Sequence, residues 1–229
     1  MRKCTTLSVQ LFISMKIHSE AVVIDGPTGS LEAIVDKPET ISHNFISVNC
    51  HPHSLHGGTM TNKVVHTVSR TIAGMGIPSL RFNFRGVGKS EGTYDEGQGE
   101  QSDLLAVVEW FRQTYPEYKL ILSGFSFGSF VSAMASPAVR PDFLISVAPP
   151  VKRFDFDGFE RPKCDWAVIM GTNDELVDYI DVQNWVGSFS KSPSLVTMAD
   201  ASHFFHGRLI ELREQVEALI GKHMSGELV

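Results

Sequence analysis

The sequence predicts an α/β fold with a mostly parallel central sheet flanked by helices. Three observations predict it. Short β-branched runs alternate along the chain with longer stretches at helical spacing. Glycine and proline punctuate the boundaries between them. The 229 residues, 42% hydrophobic and 20% charged, fit one globular domain of roughly 200–250 residues.

The chain opens with two strands, 21–24 and 31–35, joined as a hairpin by Gly26-Pro27-Thr28-Gly29. Residues 44–49 read as a buried strand. Residues 62–73 carry Val64, Val65, Val68 and Ile72 at helical spacing, ending at Gly74 and Gly76. A strand over 77–84 leads into a glycine-rich loop, 85–99. A helix over 102–115 follows, closed by Pro116. The strand 119–122 passes at once into a helix over 126–135. Strands at 143–147, 166–170 and 195–198 alternate with a helix at 179–189 and a last helix at 205–222. Such alternation implies parallel pairing with crossover helices on both faces, and ligands then bind beyond the carboxyl ends of the strands.

Composition narrows the function. The net charge is −6 and no basic run occurs, which disfavours nucleic acid and anionic membrane surfaces. No stretch reaches the roughly 18 apolar residues of a membrane span. Cys4, Cys50 and Cys164 are odd in number and share no CxxC spacing, so a reducing, cytoplasmic setting is expected rather than a disulfide framework. Residues 1–14 are read as an extension, poorly ordered or the product of an upstream start. Their apolar residues are broken by Thr5, Thr6, Ser8 and Gln10, which argues against a secretory signal. The domain is taken as 15–229.

The strongest motif is Gly124-Phe125-Ser126-Phe127-Gly128. A strand enters it and a helix leaves it, the context a G-x-S-x-G turn requires. A serine exposed on such a turn is a candidate nucleophile, and the flanking glycines let backbone segments approach. Serine needs a base, and the base an orienting acid, in the chain order Ser, acid, His. After Ser126 come His203, His206 and His223. His203 follows the last strand and is preferred; His206 is expected one turn into the helix, and His223 on the surface. For the acid, Asp174 is preferred, with Glu175 and Asp178 behind it and Asp200 as a loop alternative. Taken alone, Asp174 could equally be a turn aspartate capping a helix.

The loop from Cys50 to Met60 holds His51, His53 and His56. A zinc site would want an acidic or further ligand, and none is near. A polar loop remains open. So does an oxyanion-binding loop, with backbone N–H donors at Phe127 and at His53, or else Ser54; Pro52 has no N–H to give. Gly86-Val87-Gly88-Lys89-Ser90 superficially suggests a phosphate loop, but the position needing the first glycine is Asn83 and no helix follows. It is read as a structural loop near the pocket.

These segments, in this order over about residues 22–219, resemble the α/β-hydrolase superfamily. In detail they are similar to small bacterial hydrolases related to dienelactone hydrolases and prolyl-oligopeptidase-type domains. The carrying residues are His51-Pro52-His53, Gly57-Gly58-Thr59-Met60, Arg81 to Gly92, the elbow, Asp174, and Ser202-His203-Phe204-Phe205. The resemblance implies Ser126 as nucleophile, Asp174 as acid, His203 as base, and no cofactor or metal. Dienelactone hydrolases carry a cysteine nucleophile, so their substrate does not transfer. Only residues 148–165 separate two strands where relatives insert a cap, so no cap domain is expected and the pocket should be shallow and open; Phe154, Phe156 and Phe159 either edge it or simply pack the loop, the second reading being at least as good. The expected function is hydrolysis of a small ester through an acyl-enzyme. The alternatives are a peptidase or acyltransferase on the same residues, or a non-catalytic binding module.

Overall fold

The computed structural model describes residues 16–156, 159 and 161–228. The extension 1–14, with Cys4, lies outside the described residues. Eight strands form one sheet in the order β1-β2-β4-β3-β5-β6-β7-β8. They are β1 (Ile17–Gly26), β2 (Gly29–Pro38), β3 (Phe45–Cys50), β4 (Ser79–Phe82), β5 (Lys119–Phe125), β6 (Phe143–Val147), β7 (Asp165–Gly171) and β8 (Ser194–Met198). The opening hairpin pairs antiparallel, with Gly26 opposite Gly29, and β2 meets β4 antiparallel. From β4 through β8 every pairing is parallel.

The helices are α1 (Lys63–Gly74), α2 (Gln98–Thr114), α3 (Phe127–Val139), α4 (Tyr179–Gly187) and α5 (Leu209–Ser225). All residues of β3 and β6 are buried, at odd and even positions alike. A strand buried on both sides needs cover on both faces. That cover comes from two packed helix pairs, α1 with α5 and α2 with α3. By contrast β1 is largely exposed at the sheet's edge. Among the described residues no helix is long and apolar enough to cross a membrane. Cys50 and Cys164 are both free, the first buried and the second half-buried.

Several boundaries move. The glycine-rich loop is shorter than read, because α2 begins at Gln98, where Glu100 accepts from the Gly97 N–H at 2.8 Å and closes the first turn. The last helix starts at Leu209 rather than 205. Phe205 (φ 51°) and Gly207 (φ 72°) hold a non-helical turn there, so His206 sits in an exposed turn and not on the helix. His223 is not on the surface. Its Nδ1 lies 2.8 Å from Asp165 Oδ2, and its ring stacks on Phe143 with centroids 4.6 Å apart. The helical register of α5 turns this position back onto the start of β6, which periodicity near a chain end does not reveal.

The loop after β3 is anchored by His51, which is fully buried. Its Nδ1–H donates to the Pro52 carbonyl at 2.6 Å, and its Nε2 accepts from the Phe84 N–H at 3.0 Å. This pairing needs the neutral ring. Burial pushes its pKa down to about 4, although the Pro52 carbonyl pulls the other way. The unfolded chain takes up this proton near pH 6.5, the folded chain only near 4. Stability from the neutral ring is therefore present above pH 6.5 and lost as pH falls toward 4, by at most roughly 3 kcal/mol. Urea unfolding midpoints should fall across that window, and the fall should be shallower in His51→Gln.

Candidate active site

The parallel strands deliver their carboxyl ends to one rim, and the loops leaving them enclose a cavity of about 370 Å³. Ser126, His203, His53 and Phe127 all line it.

Ser126 occupies the tight turn between β5 and α3. Its backbone stands at φ 52°, ψ −120°, a region other residues rarely enter. Hydrogen bonds hold it there. The Ser126 N–H donates to the Val147 carbonyl at 2.8 Å, and the Ser126 carbonyl accepts from the Ser129 N–H at 2.8 Å and the Ser129 hydroxyl at 2.6 Å. Neither flanking glycine has space for a side chain. A Cβ on Gly124 would stand 2.1 Å from the Gly128 carbonyl oxygen, and one on Gly128 would stand 2.4 Å from that of Cys50. The helix following the serine aims its N-terminus at the cavity, where partial positive charge favours an anion.

His203 follows β8, and its side chain is 3% exposed. Its Nδ1 lies 2.7 Å from Asp174 Oδ2. Asp174, on the loop after β7, has a fully buried side chain and spends its other oxygen on the N–H groups of Leu176 (2.9 Å) and Val177 (2.8 Å). The carboxylate is thereby held in one orientation before it meets the imidazole. Glu175 is not a competing acid: its Oε2 accepts from the His203 N–H at 3.0 Å and so grips the histidine's backbone. Asp178 caps α4 through the N–H groups of Ile180 and Asp181. Asp200, with φ 57°, accepts from the Asn173 side-chain amide at 3.4 Å. Among the described residues Ser126 Oγ makes no hydrogen bond with His203; contacts of this kind often close only around substrate.

Phe127 and His53, the residues expected to supply the N–H donors, both line the cavity. Phe127 is the first residue of α3, so its N–H has no intrahelical acceptor. His53 begins the turn after β3; its carbonyl accepts from His56 and Gly58, each at 3.0 Å. Gly58 is required there, because a Cβ would lie 2.0 Å from the Pro52 carbonyl oxygen. The His53 ring accepts from the Leu55 N–H, meets the Tyr94 hydroxyl at 3.2 Å and stacks on His56 at 4.4 Å. Desolvation first, and repulsion from His56 second, hold its pKa below the ordinary value. Among the described residues no group of three His, Cys, Asp or Glu side chains could hold a metal ion.

Phe154 lines the cavity as expected, packed on Phe127 and Phe130. Phe156 and Phe159 do not. They turn away to join Trp166, Trp185 and Phe189 in an aromatic cluster. Between β6 and β7 the described residues contain no helix or strand.

The fold is shared with solved α/β serine hydrolases. A lidless α/β serine hydrolase from Xanthomonas campestris is 45% identical, with 88% of this chain and 93% of that chain covered and a TM-score of 0.84. The chain belongs to the α/β-hydrolase superfamily. An α/β serine hydrolase homologue from Coxiella burnetii is 44% identical, over 87% of this hydrolase and 96% of its own chain, with a TM-score of 0.84. An uncharacterised protein of Rickettsia prowazekii is 33% identical over 207 residues, 85% of this chain and 86% of its own. The family described as serine aminopeptidase, S33, matches residues 53–156 of the hydrolase, which include the elbow.

Because the elbow's glycines meet backbone rather than flexible side chains, Gly124→Ala should cost more than about 2 kcal/mol. Urea unfolding of the variant beside the native chain measures this.

Proposed function

We propose that this α/β hydrolase cleaves a small carboxylic ester through an acyl-enzyme on Ser126. The observation that carries the reading is the strained Ser126 backbone in the same cavity as a His203 ring bound to buried Asp174. In this reading His203 Nε2 removes the Ser126 proton as Oγ attacks the carbonyl. Asp174 keeps the other ring proton on Nδ1 and stabilises the imidazolium that forms. The N–H groups of Phe127 and His53 receive the developing oxyanion, each contributing on the order of 3 kcal/mol in the transition state. His203 then returns its proton to the leaving alcohol, water enters, and the acyl group is released as the acid.

With no helix or strand among the described residues between β6 and β7, the cavity suits small esters reached directly from solvent. The serine aminopeptidase description of the matching family favours a second reading, cleavage of an aminoacyl amide by the same groups. Side-by-side rates on p-nitrophenyl acetate and on aminoacyl p-nitroanilides separate the two.

A fluorophosphonate probe should label the folded protein at Ser126 alone, as read by peptide mapping. Ser126→Ala should lose both labelling and p-nitrophenyl acetate turnover. Unlabelled protein shown to be folded would overturn the proposal. Asp174→Asn should retain the fold but lower kcat by about 10³–10⁴, because the imidazole is then held in the wrong tautomer. Steady-state kinetics with circular dichroism as a folding control tests that.

A further inference from the structure

We propose that Arg153 selects esters carrying a second, anionic group, and that the preferred substrate is a half-ester of a short dicarboxylic acid. This rests on the acyl-transfer reading of the same cavity and adds a substrate class to it.

Arg153 lies in the loop after β6, where Pro149 and Pro150 set the chain's direction. The Pro150 carbonyl accepts from the N–H groups of Arg153 (2.9 Å) and Phe154 (3.3 Å), fixing a turn. The three side chains of this turn have different fates. Lys152 reaches Asp181 on α4 at 3.7 Å. Phe154 packs into the aromatic wall formed by Phe127, Phe130 and His53. Arg153, an exposed residue, lines the mouth of the cavity, and among the described residues its side chain makes no ion pair and no hydrogen bond.

The four described acids on the loop after β7 and on α4 each have another partner. Asp174 holds His203, Glu175 holds the His203 backbone, Asp178 caps α4 and Asp181 takes Lys152. No described Asp or Glu lines the cavity. An arginine presented to an apolar, aromatic-walled cavity without an acid partner is matched by a ligand carboxylate, which can accept two parallel hydrogen bonds. On a chain of net charge −6 that cation is a local exception, so it acts at contact range rather than by long-range attraction. The same cavity holds Ser126, which places the anionic group and the reacting carbonyl on one small molecule.

The test compares monoethyl glutarate with ethyl valerate, which has a methyl group where the former has its free carboxylate. Ethanol release is followed in the native enzyme and in Arg153→Gln, Arg153→Lys and Arg153→Glu. In the native enzyme kcat/KM should favour the half-ester by about tenfold, the lower end for a hydrogen bond between charged groups. The preference should reside mainly in KM and shrink with added salt. The ratio should collapse toward one in R153Q, recover in part in R153K and invert in R153E. A native ratio of one or below, or a ratio unmoved in R153Q, overturns the inference. If Ser126 is still labelled by fluorophosphonate and ethyl valerate is still cleaved, the acyl-transfer reading survives that failure. Folded protein that is neither labelled nor active on either ester overturns both.

Discussion

The turn between β5 and α3 admits no side chain at Gly124 or Gly128, two residues to either side of Ser126, and the arrangement of the site depends on that close packing. The Gly124 Cα faces the Gly128 carbonyl, and Gly128 faces the carbonyls of Cys50 and His51. Three segments thus meet at van der Waals distance: the end of β5, the first turn of α3 and the loop leaving β3. Their approach forces Ser126 into a backbone conformation costing of order 1–3 kcal/mol, which its hydrogen bonds to Val147 and Ser129 help to offset. The same approach sets the Phe127 N–H and the His53 turn around one cavity.

Parallel pairing supplies the remaining geometry. Because β3 and β5 to β8 all run the same way, the loops carrying His53, Ser126, Arg153, Asp174 and His203 leave the sheet at one rim. Residues far apart in sequence are thereby held by a buried, hydrogen-bonded frame. The loop after β7 divides its acids among distinct tasks: one orients the imidazole, one grips its backbone, and one starts the next helix. A histidine held at both ring and backbone has little freedom to turn, which preserves its orientation toward the cavity.

The glycine-rich loop has a different use from the one its spelling suggests. Glu32 on β2 accepts from the Lys89 N–H at 3.0 Å and from the Asn83 amide at 2.8 Å, which ties the loop to the sheet. Asn83 in turn accepts from the Met60 N–H at 2.8 Å, and Arg85 is locked to buried Asp103 at 2.7 Å. These bonds tie the loop to the one after β3 and brace the wall that carries His53 and Tyr94.

The fold class and the elbow were legible in the linear chain because both are local. Strand alternation and the Gly-x-Ser-x-Gly spacing state a backbone requirement within a few residues. His203 was also legible, since it directly follows the last strand. Asp174 is preferred over Glu175 and Asp178 in the sequence, but spacing alone leaves it equally readable as a turn cap, and only its contact with the His203 ring separates the three. Nor did periodicity reveal that His223 is drawn into a pair with Asp165, or that Phe156 and Phe159 turn from the cavity toward Trp185. Sequence by itself determined the class of fold and where a reactive serine could stand. Tertiary structure decided that the preferred acid meets the histidine and that Arg153 reaches the cavity with no ion pair among the described residues, because charge partners are assigned by proximity across the sheet rather than along the chain.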